Sequence, residues 1–368
     1  MPYWKRWMRE LPTVESVAKA SPDKIHKLWE GLGYYTRARN LQKAAKQIVQ
    51  RGRRKAESGN PGCRFPEKFD TVLALPGIGR YTAGAICSIA FNQATPILDG
   101  NVIRVLTRIF GISENPHEIE TNARLWKLAE ELVATAAKHH ATRSSRREEA
   151  HSEIGNCRSF LTSDAAITGN CSALNQSLME LGALVCTPRN PQCRICPVNG
   201  LCVAFKDNRV EKLPNLGQRP TTTNRHFVAF VAERNGRFLV RQRPAGVVNA
   251  HLWEFPNVEV EAGRRPAAKS LARAGKKIGF DLLDAKPLCT VKHSITRYRV
   301  TLEAWRARFG GTSYTSRCSI RTGSGAGETR PPGKVAVWRT PAQMRRLAFT
   351  AAHKKLARFA AHCTLSGQ

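Results

Sequence analysis

The stretch Leu75-Pro76-Gly77-Ile78-Gly79 separates two apolar segments with helical spacing, the second of which covers residues 81–91. Pro76 stiffens the turn, and Gly77 and Gly79 let backbone N–H groups come close to an anion. The N-terminus of the second helix adds the positive end of its dipole. The stretch therefore predicts a helix–hairpin–helix that holds a DNA phosphate without reading base sequence. An ordinary corner between two helices is the alternative.

Helical spacing extends on both sides of this turn. Apolar residues recur every three or four positions over residues 13–134 and again over 174–185. Ser21 followed by Pro22 is typical of a helix start. Residues 136–170 show no such period, and they predict an inserted loop. We therefore predict that the N-terminal half is all-α.

The second half has the period of strands. Residues 227–231 form a short apolar run, Asn235-Gly236 is a hairpin signal, and residues 298–304 alternate between apolar and polar side chains. Pro, Gly and Thr are frequent in residues 207–225, which predicts a linker. A separate domain with strands and helices is expected beyond it.

Charge points to nucleic acid as the partner. The 368 residues contain 59 Lys and Arg but 28 Asp and Glu, a net charge of +31. Such a charge repels itself unless a polyanion neutralises it. The sequence has no apolar run of about 18 residues and no secretory signal at its start. We expect a soluble protein of the cytoplasm, associated with the nucleoid if the source is bacterial.

Four of the eleven cysteines form a compact group. Cys186, Cys193, Cys196 and Cys202 have the spacing C-x6-C-x2-C-x5-C, and an odd total without a signal argues against disulfides. Four thiolates this close can surround one soft metal centre. A single C-x2-C pair favours an iron–sulfur cluster over zinc, which usually takes two such pairs.

Asp99 is the candidate catalytic carboxylate. It precedes Gly100-Asn101 and the apolar helix at 102–109. A carboxylate near a helix N-terminus stays ionised, because the dipole and nearby N–H groups favour its charged form. A simple helix cap is the alternative.

Together these motifs resemble the helix–hairpin–helix, Gly/Pro-Asp DNA glycosylase superfamily. Residues 31–40 (GLGYYTRARN) and 97–102 (ILDGNV) are similar to its adenine glycosylase, MutY-like branch. The resemblance covers residues 2–135 and 172–206, and more weakly 226–362.

The resemblance implies hydrolytic removal of adenine mispaired with 8-oxoguanine or guanine. In that family the aspartate that matches Asp99 stabilises the sugar cation, and the asparagine that matches Asn101 lies beside it. Tyr81 stands where related bifunctional enzymes have a Schiff-base lysine. It implies base removal without an efficient strand-cleaving step. The cysteines are implied to hold a [4Fe-4S] cluster.

Several residues are implied to contact DNA. Tyr34 matches a tyrosine that wedges into the duplex, although core packing is its alternative. Leu75, Gly77, Gly79 and Arg80 belong to the phosphate-holding hairpin.

The general acid is expected to be missing. The family places the glutamate that protonates the departing adenine in a helix upstream of Met1. Glu10 and Glu15 lack that context, since Glu10 precedes Leu11-Pro12 and Glu15 starts the following helix. Loss of a general acid costs about 10²–10⁴ in rate. A misplaced start codon or truncated gene is one explanation, and a true pseudoenzyme is the other.

The C-terminal part resembles a Nudix-like domain that recognises 8-oxoguanine. The family's Phe-Ser-His recognition loop matches residues 293–298 (HSITRY) here, in which Thr296 keeps a hydroxyl and Arg297 stands in place of histidine. Residues 263–279 contain no acidic residue to hold Mg²⁺, so we expect no pyrophosphate hydrolysis.

The predicted fold is therefore multidomain. An all-α helix–hairpin–helix glycosylase domain spans 1–206, with the cluster loop at 186–202 and an inserted loop at 136–170. The 207–225 linker and an α+β Nudix-like domain at 226–368 follow it. Cys157 and Cys171 are expected to be incidental thiols.

A monomer is expected, because one protein must surround one flipped base. Two other functions stay open. One is a non-catalytic protein that binds A:8-oxoguanine sites, and the other is a redox sensor that uses the cluster.

Overall fold

The computed structural model describes residues 2–57, 64–150, 170–218, 221–261, 268–279, 281–295, 297–310 and 336–363. They belong to two compact units. One is Gln50–Arg219, and the other combines Met1–Val49 with Pro220–Gln368. This division differs from the predicted boundaries at 206 and 226, which stay a prediction.

Helices dominate the chain up to residue 206. They are α1 (Pro2–Glu10), α2 (Val14–Lys19), α3 (Pro22–Leu28), α4 (Tyr35–Glu57), α5 (Phe69–Leu73), α6 (Arg80–Phe91), α7 (Gly100–Ile109), α8 (Ile119–Ala150), α9 (Asn170–Glu180) and α10 (Val203–Lys206). A π-helical turn, Leu181–Val185, follows α9 directly. No helix among the described residues is both long enough and apolar enough to cross a membrane.

The loop predicted at 136–170 is wrong for its first part. Helix α8 continues to Ala150, so residues 136–150 are helical. Ala, Lys, Arg and Glu are frequent there and favour helix even without an apolar stripe. Residues 151–169, including Cys157, lie outside the described residues.

In the unit Gln50–Arg219, called the helical unit, an apolar core supports the segment that carries Asp99. Ile97, Leu98 and Val102 pack with Leu106 of α7 and Leu125 of α8, and all five are buried. The chain on both sides of Asp99 is thus held by apolar contacts.

Part of the predicted linker is anchored in this unit. Leu213 is buried, and its carbonyl accepts a hydrogen bond from Nε of Arg108 at 2.9 Å. Asn215 donates to the carbonyl of Ser113 at 3.2 Å. At its other end, Thr223 already belongs to the first strand.

Helix α6 lies very close to the segment before Asp99. A β-carbon on Gly84 would overlap the carbonyl oxygen of Pro96. We expect Gly84→Ala to lower the free energy of unfolding by about 1–3 kcal/mol, because neither backbone can move freely in a packed core. Urea unfolding measures this. Gly100→Ala is the control, since no atom lies within 4 Å of its added carbon. Equal stability of the two variants would contradict the packing.

The unit that combines Met1–Val49 with Pro220–Gln368 contains a sheet, and it is called the C-terminal unit because the sheet lies in its C-terminal part. Its strands are β1 (Thr223–Arg234), β2 (Arg237–Gln242), β3 (Trp253–Glu254), β4 (Asn257–Val260), β5 (Leu282–Ile295), β6 (Tyr298–Phe309) and β7 (Ala336–Arg339). The main order is β3-β2-β1-β6-β5, with β4 paired to β1 and β7 to β2. Strands β1 and β6 are parallel, and the other pairs are antiparallel.

Three helices accompany the sheet: α11 (Ala268–Lys277), α12 (Pro341–Arg346) and α13 (Ala351–Cys363). Leu302 and Ala304 of β6 pack in the same cluster as Leu356 of α13. Trp305 and Ala307 pack in another cluster with Leu271 of α11. The helices α11 and α13 therefore cover opposite faces of β6, as the two-residue period of a strand requires.

The Asn235-Gly236 hairpin prediction is confirmed. Both residues have positive φ, 51° and 67°, and they connect β1 to β2. This is the left-handed geometry that a type I′ turn needs.

A buried ion pair in the C-terminal unit escaped the sequence analysis. Glu30 accepts hydrogen bonds from Lys354 Nζ at 2.6 Å, Lys27 Nζ at 2.9 Å and the Phe349 N–H at 3.2 Å. Burial alone raises the pKa of Glu30, but the two lysines outweigh it and hold the pKa below its usual value. Glu30 is thereby joined to Phe349 and Lys354, which lie 319 and 324 positions later, and no local pattern indicates these two contacts.

Two buried histidines make this unit sensitive to acid. Burial lowers the pKa of His26 and of His353 from 6.5 to about 4. Between these values the unfolded chain binds more protons, so stability falls as the pH drops from 6.5 towards 4. We expect about 1.4 kcal/mol per pH unit for each histidine.

Urea unfolding from pH 6.5 to 4.5 measures this slope. His26→Phe keeps a ring of similar shape and should remove about half of it. His117→Gln, at an exposed position, should leave it unchanged. A slope that is the same in His26→Phe as in the parent chain would contradict the assignment.

Candidate functional site

The hairpin between α5 and α6 is a tight turn. The Ile78 N–H donates to the Leu75 carbonyl at 3.1 Å, and Gly77 has φ +78°. Proline at the second position and positive φ at the third are typical of a type II turn, in which only glycine is unstrained. Gly79 caps the N-terminus of α6 without a side chain. Backbone N–H groups at this end are thus accessible to an anion.

Two hairpin residues that were predicted to contact DNA are constrained in the structure: Leu75 is buried, and Arg80 contacts other side chains. Leu75 is 2% exposed, so any contact with DNA would come from its backbone. The exposed Arg80 forms an ion pair with Glu130 at 2.9 Å. Its guanidinium carbon also lies 4.0 Å from the ring centre of Trp126. The pair orients Arg80 at the start of α6.

Asp99 caps helix α7 and is half-buried. Its Oδ1 accepts hydrogen bonds from the Asn101 N–H at 3.0 Å and the Val102 N–H at 2.8 Å. Its Oδ2 accepts one from Asn101 Nδ2 at 3.3 Å. Among the described residues no salt bridge includes Asp99. N–H donors therefore hold the carboxylate in place, and no cationic side chain among the described residues forms an ion pair with it.

Asn101 links Asp99 to a buried arginine. Its Oδ1 accepts a hydrogen bond from Arg104 Nη2 at 2.8 Å, while its Nδ2 donates to Asp99. The guanidinium therefore fixes the amide so that its NH₂ group faces the carboxylate. A β-carbon on Gly182 would lie 2.7 Å from that of Asn101, so the π-helical turn packs directly against this residue.

Arg104 extends the network to the cysteine loop. Its Nε donates to the Cys186 carbonyl at 2.7 Å, and its Nη2 donates to the Gly182 carbonyl at 2.5 Å. Arg104 is 7% exposed, and burial lowers its pKa against the opposing effect of Cys186 and Asp99. One side chain thus connects the cap of α7 to the first cysteine of the loop.

Arg108, one turn further along α7, contacts the cysteine itself. Its Nη1 donates to Cys186 Sγ at 3.3 Å and to the Thr187 carbonyl at 2.8 Å. Arg108 is 2% exposed. The buried guanidinium therefore places a positive charge beside the first cysteine of the loop. Sequence analysis missed both arginines, and their only signal was two charges within the apolar 102–109 helix.

The four predicted cysteines line a single cavity. Its walls also include Val105, Leu181 and Phe205. Short 3₁₀ turns at Cys193–Ile195 and Asn199–Leu201 order the loop, with the Cys196 N–H bonded to the Cys193 carbonyl at 3.2 Å. Burial raises the pKa of the Cys193 thiol, and the neighbouring Cys186 adds to it. The positive charge of an iron–sulfur core would offset the free-energy cost of ionising this buried thiol.

The thiols are free, and their donor set suits iron–sulfur chemistry. Among the described residues no group of three or more His, Cys, Asp or Glu side chains is gathered tightly enough for a metal ion. The side chains nevertheless face one cavity, which is the arrangement that cluster ligands share. Cys171, which was expected to be incidental, is buried elsewhere and bonded to the Val133 carbonyl at 3.9 Å.

Tyr81 lies in the same unit as Asp99. It is half-buried against the apolar core, and its hydroxyl donates to Met179 Sδ at 3.7 Å. Helices α6, α7 and α9 thus converge around the segment that carries Asp99.

The other predicted contacts belong to the C-terminal unit. Tyr34 is 75% exposed and has φ +44°, in the turn that precedes α4. Arg297 is exposed between β5 and β6, and its Nη2 donates to the Tyr298 hydroxyl at 3.1 Å. Thr296 lies outside the described residues. Exposure of Tyr34 argues against the core-packing alternative.

Family comparisons agree with this architecture. Residues 1–131 match the HhH-GPD superfamily base excision DNA repair protein, 186–202 the iron–sulfur binding domain of endonuclease III, and 227–358 the NUDIX domain. The predicted fold class, the order of its parts and the preference for an iron–sulfur cluster over zinc are thereby confirmed.

Relatives among known proteins are adenine DNA glycosylases. The protein from Arabidopsis thaliana is 36% identical over 79% of this chain and 45% of its own length. The proteins from Rattus norvegicus and Homo sapiens are 31% and 30% identical over 97% of this chain. The chain spans 67% of the rat protein and 64% of the human protein.

Two of the solved structures that the chain resembles each match one part of it. A thermostable thymine-DNA glycosylase is 23% identical, with a TM-score of 0.40, over 56% of this chain and 76% of its own. The E. coli ORF135 protein is 21% identical, with a TM-score of 0.31, over 41% and 98%.

Proposed function

The chain belongs to the adenine DNA glycosylase family, and on that premise we propose that it removes adenine mispaired with 8-oxoguanine, or with guanine, from duplex DNA. The observation that carries the proposal is the placement of Asp99. Its carboxylate is half-buried and fixed by three N–H donors at a helix N-terminus. Cleavage of an N-glycosidic bond needs such a group, because positive charge develops on the sugar.

The reaction is hydrolysis of the bond between C1′ of the deoxyribose and N9 of adenine. The bonding pair leaves with adenine, which takes up a proton, and water supplies the hydroxyl group to C1′. Asp99 stabilises the cation between these steps. Asn101 holds the carboxylate in position, and Tyr81 assists from α6.

DNA is the proposed partner of both units. The hairpin residues Gly77, Gly79 and Arg80, with the backbone of Leu75, hold a phosphate. Tyr34 wedges into the duplex, and Thr296 and Arg297 recognise 8-oxoguanine. The four cysteines, Cys186, Cys193, Cys196 and Cys202, bind the [4Fe-4S] cluster, which holds the loop in shape. We further propose that the protein acts as a monomer in the cytoplasm.

A single-turnover assay tests the function. Free adenine is measured chromatographically after mixing excess protein with duplexes that contain A:8-oxoguanine, A:guanine or A:T. We expect release from the first two and none from A:T. The strand should remain uncut until alkali is added, because Tyr81 cannot form a Schiff base. Tight, salt-dependent binding of the A:8-oxoguanine duplex without any adenine release would favour the non-catalytic alternative.

A further inference from the structure

The turn that carries Tyr34 is anchored on both of its sides. Tyr34 is 75% exposed, but Glu30 before the turn and Tyr35 after it are buried. Only four residues, Tyr34 included, lie between these two anchors. Trp29 Nε1 closes the turn by donating to the Gly33 carbonyl at 2.9 Å. A shift of either anchor would therefore displace Tyr34.

Glu30 anchors the first side of the turn to the far end of the chain. Its Oε2 accepts a hydrogen bond from Lys354 Nζ at 2.6 Å, and its Oε1 accepts the Phe349 N–H at 3.2 Å. Lys27 Nζ donates to Glu30 Oε2 and to the Leu347 carbonyl, each at 2.9 Å. These bonds are stronger than they would be in water, because the carboxylate is buried. The start of the turn is thus tied to the beginning of α13.

The second side of the turn is anchored by apolar packing and a guanidinium. Tyr35 packs in one buried cluster with Leu252 and Ala348. Arg39 Nη1 donates to the Ala250 carbonyl at 3.0 Å. These partners lie in the segments that lead into β3 and α13. The C-terminal part of the unit therefore fixes both ends of the turn.

The backbone of Tyr34 needs this support. Its φ of +44° lies in the left-handed region, which residues other than glycine keep only when their surroundings hold them there. The exposed ring has little packing of its own. The anchored residues on either side supply the support instead.

We propose that Glu30 is a positioning residue for Tyr34, and that its ion pair with Lys354 holds the turn in the conformation that inserts into DNA. Because Tyr34 is taken as the wedge, this role of Glu30 rests on the proposed function. A turn that is already ordered binds more tightly, since ordering it on binding would cost affinity. Glu30 and Lys354 thereby strengthen duplex binding through Tyr34 and not through a contact of their own.

Duplex binding by the full chain with its cluster tests the proposal. The duplex contains adenine opposite 8-oxoguanine, and a 2′-fluorine on that adenosine opposes positive charge on the sugar and prevents turnover. A 2-aminopurine beside the 8-oxoguanine reports insertion of the wedge, because its fluorescence rises when it is unstacked. Affinity and fluorescence are measured on the same samples at fixed salt.

Glu30→Gln keeps an oxygen that can accept the Phe349 N–H, but it removes the charge that binds Lys354. We expect it to weaken duplex binding by about tenfold and to lower the fluorescence rise to that of Tyr34→Ala. Lys354→Gln breaks the same pair from a partly exposed position and should act alike, even if the buried Glu30→Gln variant folds poorly. Glu233→Gln is the matched control, because it breaks an ion pair between two strands of the sheet and should change neither measurement.

The double variant Glu30→Gln/Tyr34→Ala separates positioning from general support of the fold. If Glu30 acts through Tyr34, the double variant should bind as tightly as Tyr34→Ala alone. An equal loss of affinity with and without Tyr34 would overturn the proposal, and so would parent-like binding by both Glu30→Gln and Lys354→Gln.

Adenine release from the unmodified duplex distinguishes this proposal from the proposed function. Release by the parent chain, together with parent-like fluorescence in both single variants, would overturn the role of Glu30 alone. A fluorescence rise that depends on Glu30 without any adenine release would leave that role standing and remove the proposed activity.

Discussion

Replacement of Asp99 by asparagine is expected to lower the single-turnover rate of adenine release from an A:8-oxoguanine duplex by about 10³-fold. Loss of a preorganised group that faces developing charge costs about 10²–10³ in rate, and a full negative charge stands at the upper end. Asparagine is as good a helix cap as aspartate. Its amide oxygen can still accept the Asn101 and Val102 N–H groups that Asp99 now binds. The fold should therefore survive while the charge is lost.

Two further variants separate the effect of the negative charge on the rate from the effect of helix capping on stability. Asp99→Ala loses both, and it should also lower the free energy of unfolding by about 1 kcal/mol. Asp70→Asn removes a charge of the same kind from the exposed first turn of α5, and the rate should not change. If Asp99→Asn releases adenine as fast as the parent chain, the carboxylate is only a cap and the proposed chemistry is wrong.

Replacement of Cys196 by alanine is expected to remove bound iron. A cluster with three protein thiolates in place of four loses a ligand that its turn geometry provides. Metal binding and folding are coupled in such loops, so residues 186–202 should loosen as well. Iron and sulfide are assayed chemically in the purified protein, and DNA affinity is measured at fixed salt. We expect substoichiometric iron and at least about tenfold weaker binding.

Cys171→Ala is the matched control for this experiment. Cys171 is buried in the same unit but bonded to the Val133 carbonyl, away from the cluster cavity. The variant should keep its full iron content. If Cys196→Ala retains stoichiometric iron, the predicted ligand set is incorrect.

The cysteine loop and the cap of α7 should respond together. Arg104 bonds the Cys186 and Gly182 carbonyls and also holds the amide of Asn101. Three successive hydrogen bonds, from Cys186 to Arg104, from Arg104 to Asn101 and from Asn101 to Asp99, therefore connect the loop to the carboxylate. Because of this connection, we expect Cys196→Ala also to slow adenine release.

Local patterns were sufficient for the hairpin and the cap. The type II turn needs glycine at position 77 because of its positive φ, and the preference of proline for the preceding position is equally local. Asp99 caps α7 through N–H groups two and three residues ahead. Interactions that close within one turn leave a signature in consecutive residues, so the sequence predicts them.

Two features could not be predicted from the sequence: a helical segment without an apolar period, and an ion pair whose members lie far apart in the chain. Residues 136–150 have no apolar stripe, yet they continue α8, because helix propensity alone can extend an existing helix. Glu30 was overlooked, since two of its three donors, Phe349 and Lys354, lie more than 300 residues later and are known only from the tertiary structure.

By itself, the sequence determined which elements form and which atoms could bind a cluster or meet a cation, because capping, turn geometry and cysteine spacing depend on neighbours a few residues away. Only the tertiary structure decided how those atoms are connected. Arg104 and Arg108 act because α7 packs against the π-helical turn about 80 residues later in the chain. Such contacts depend on how closely two backbones approach, and here the absence of a side chain at Gly182 permits that approach.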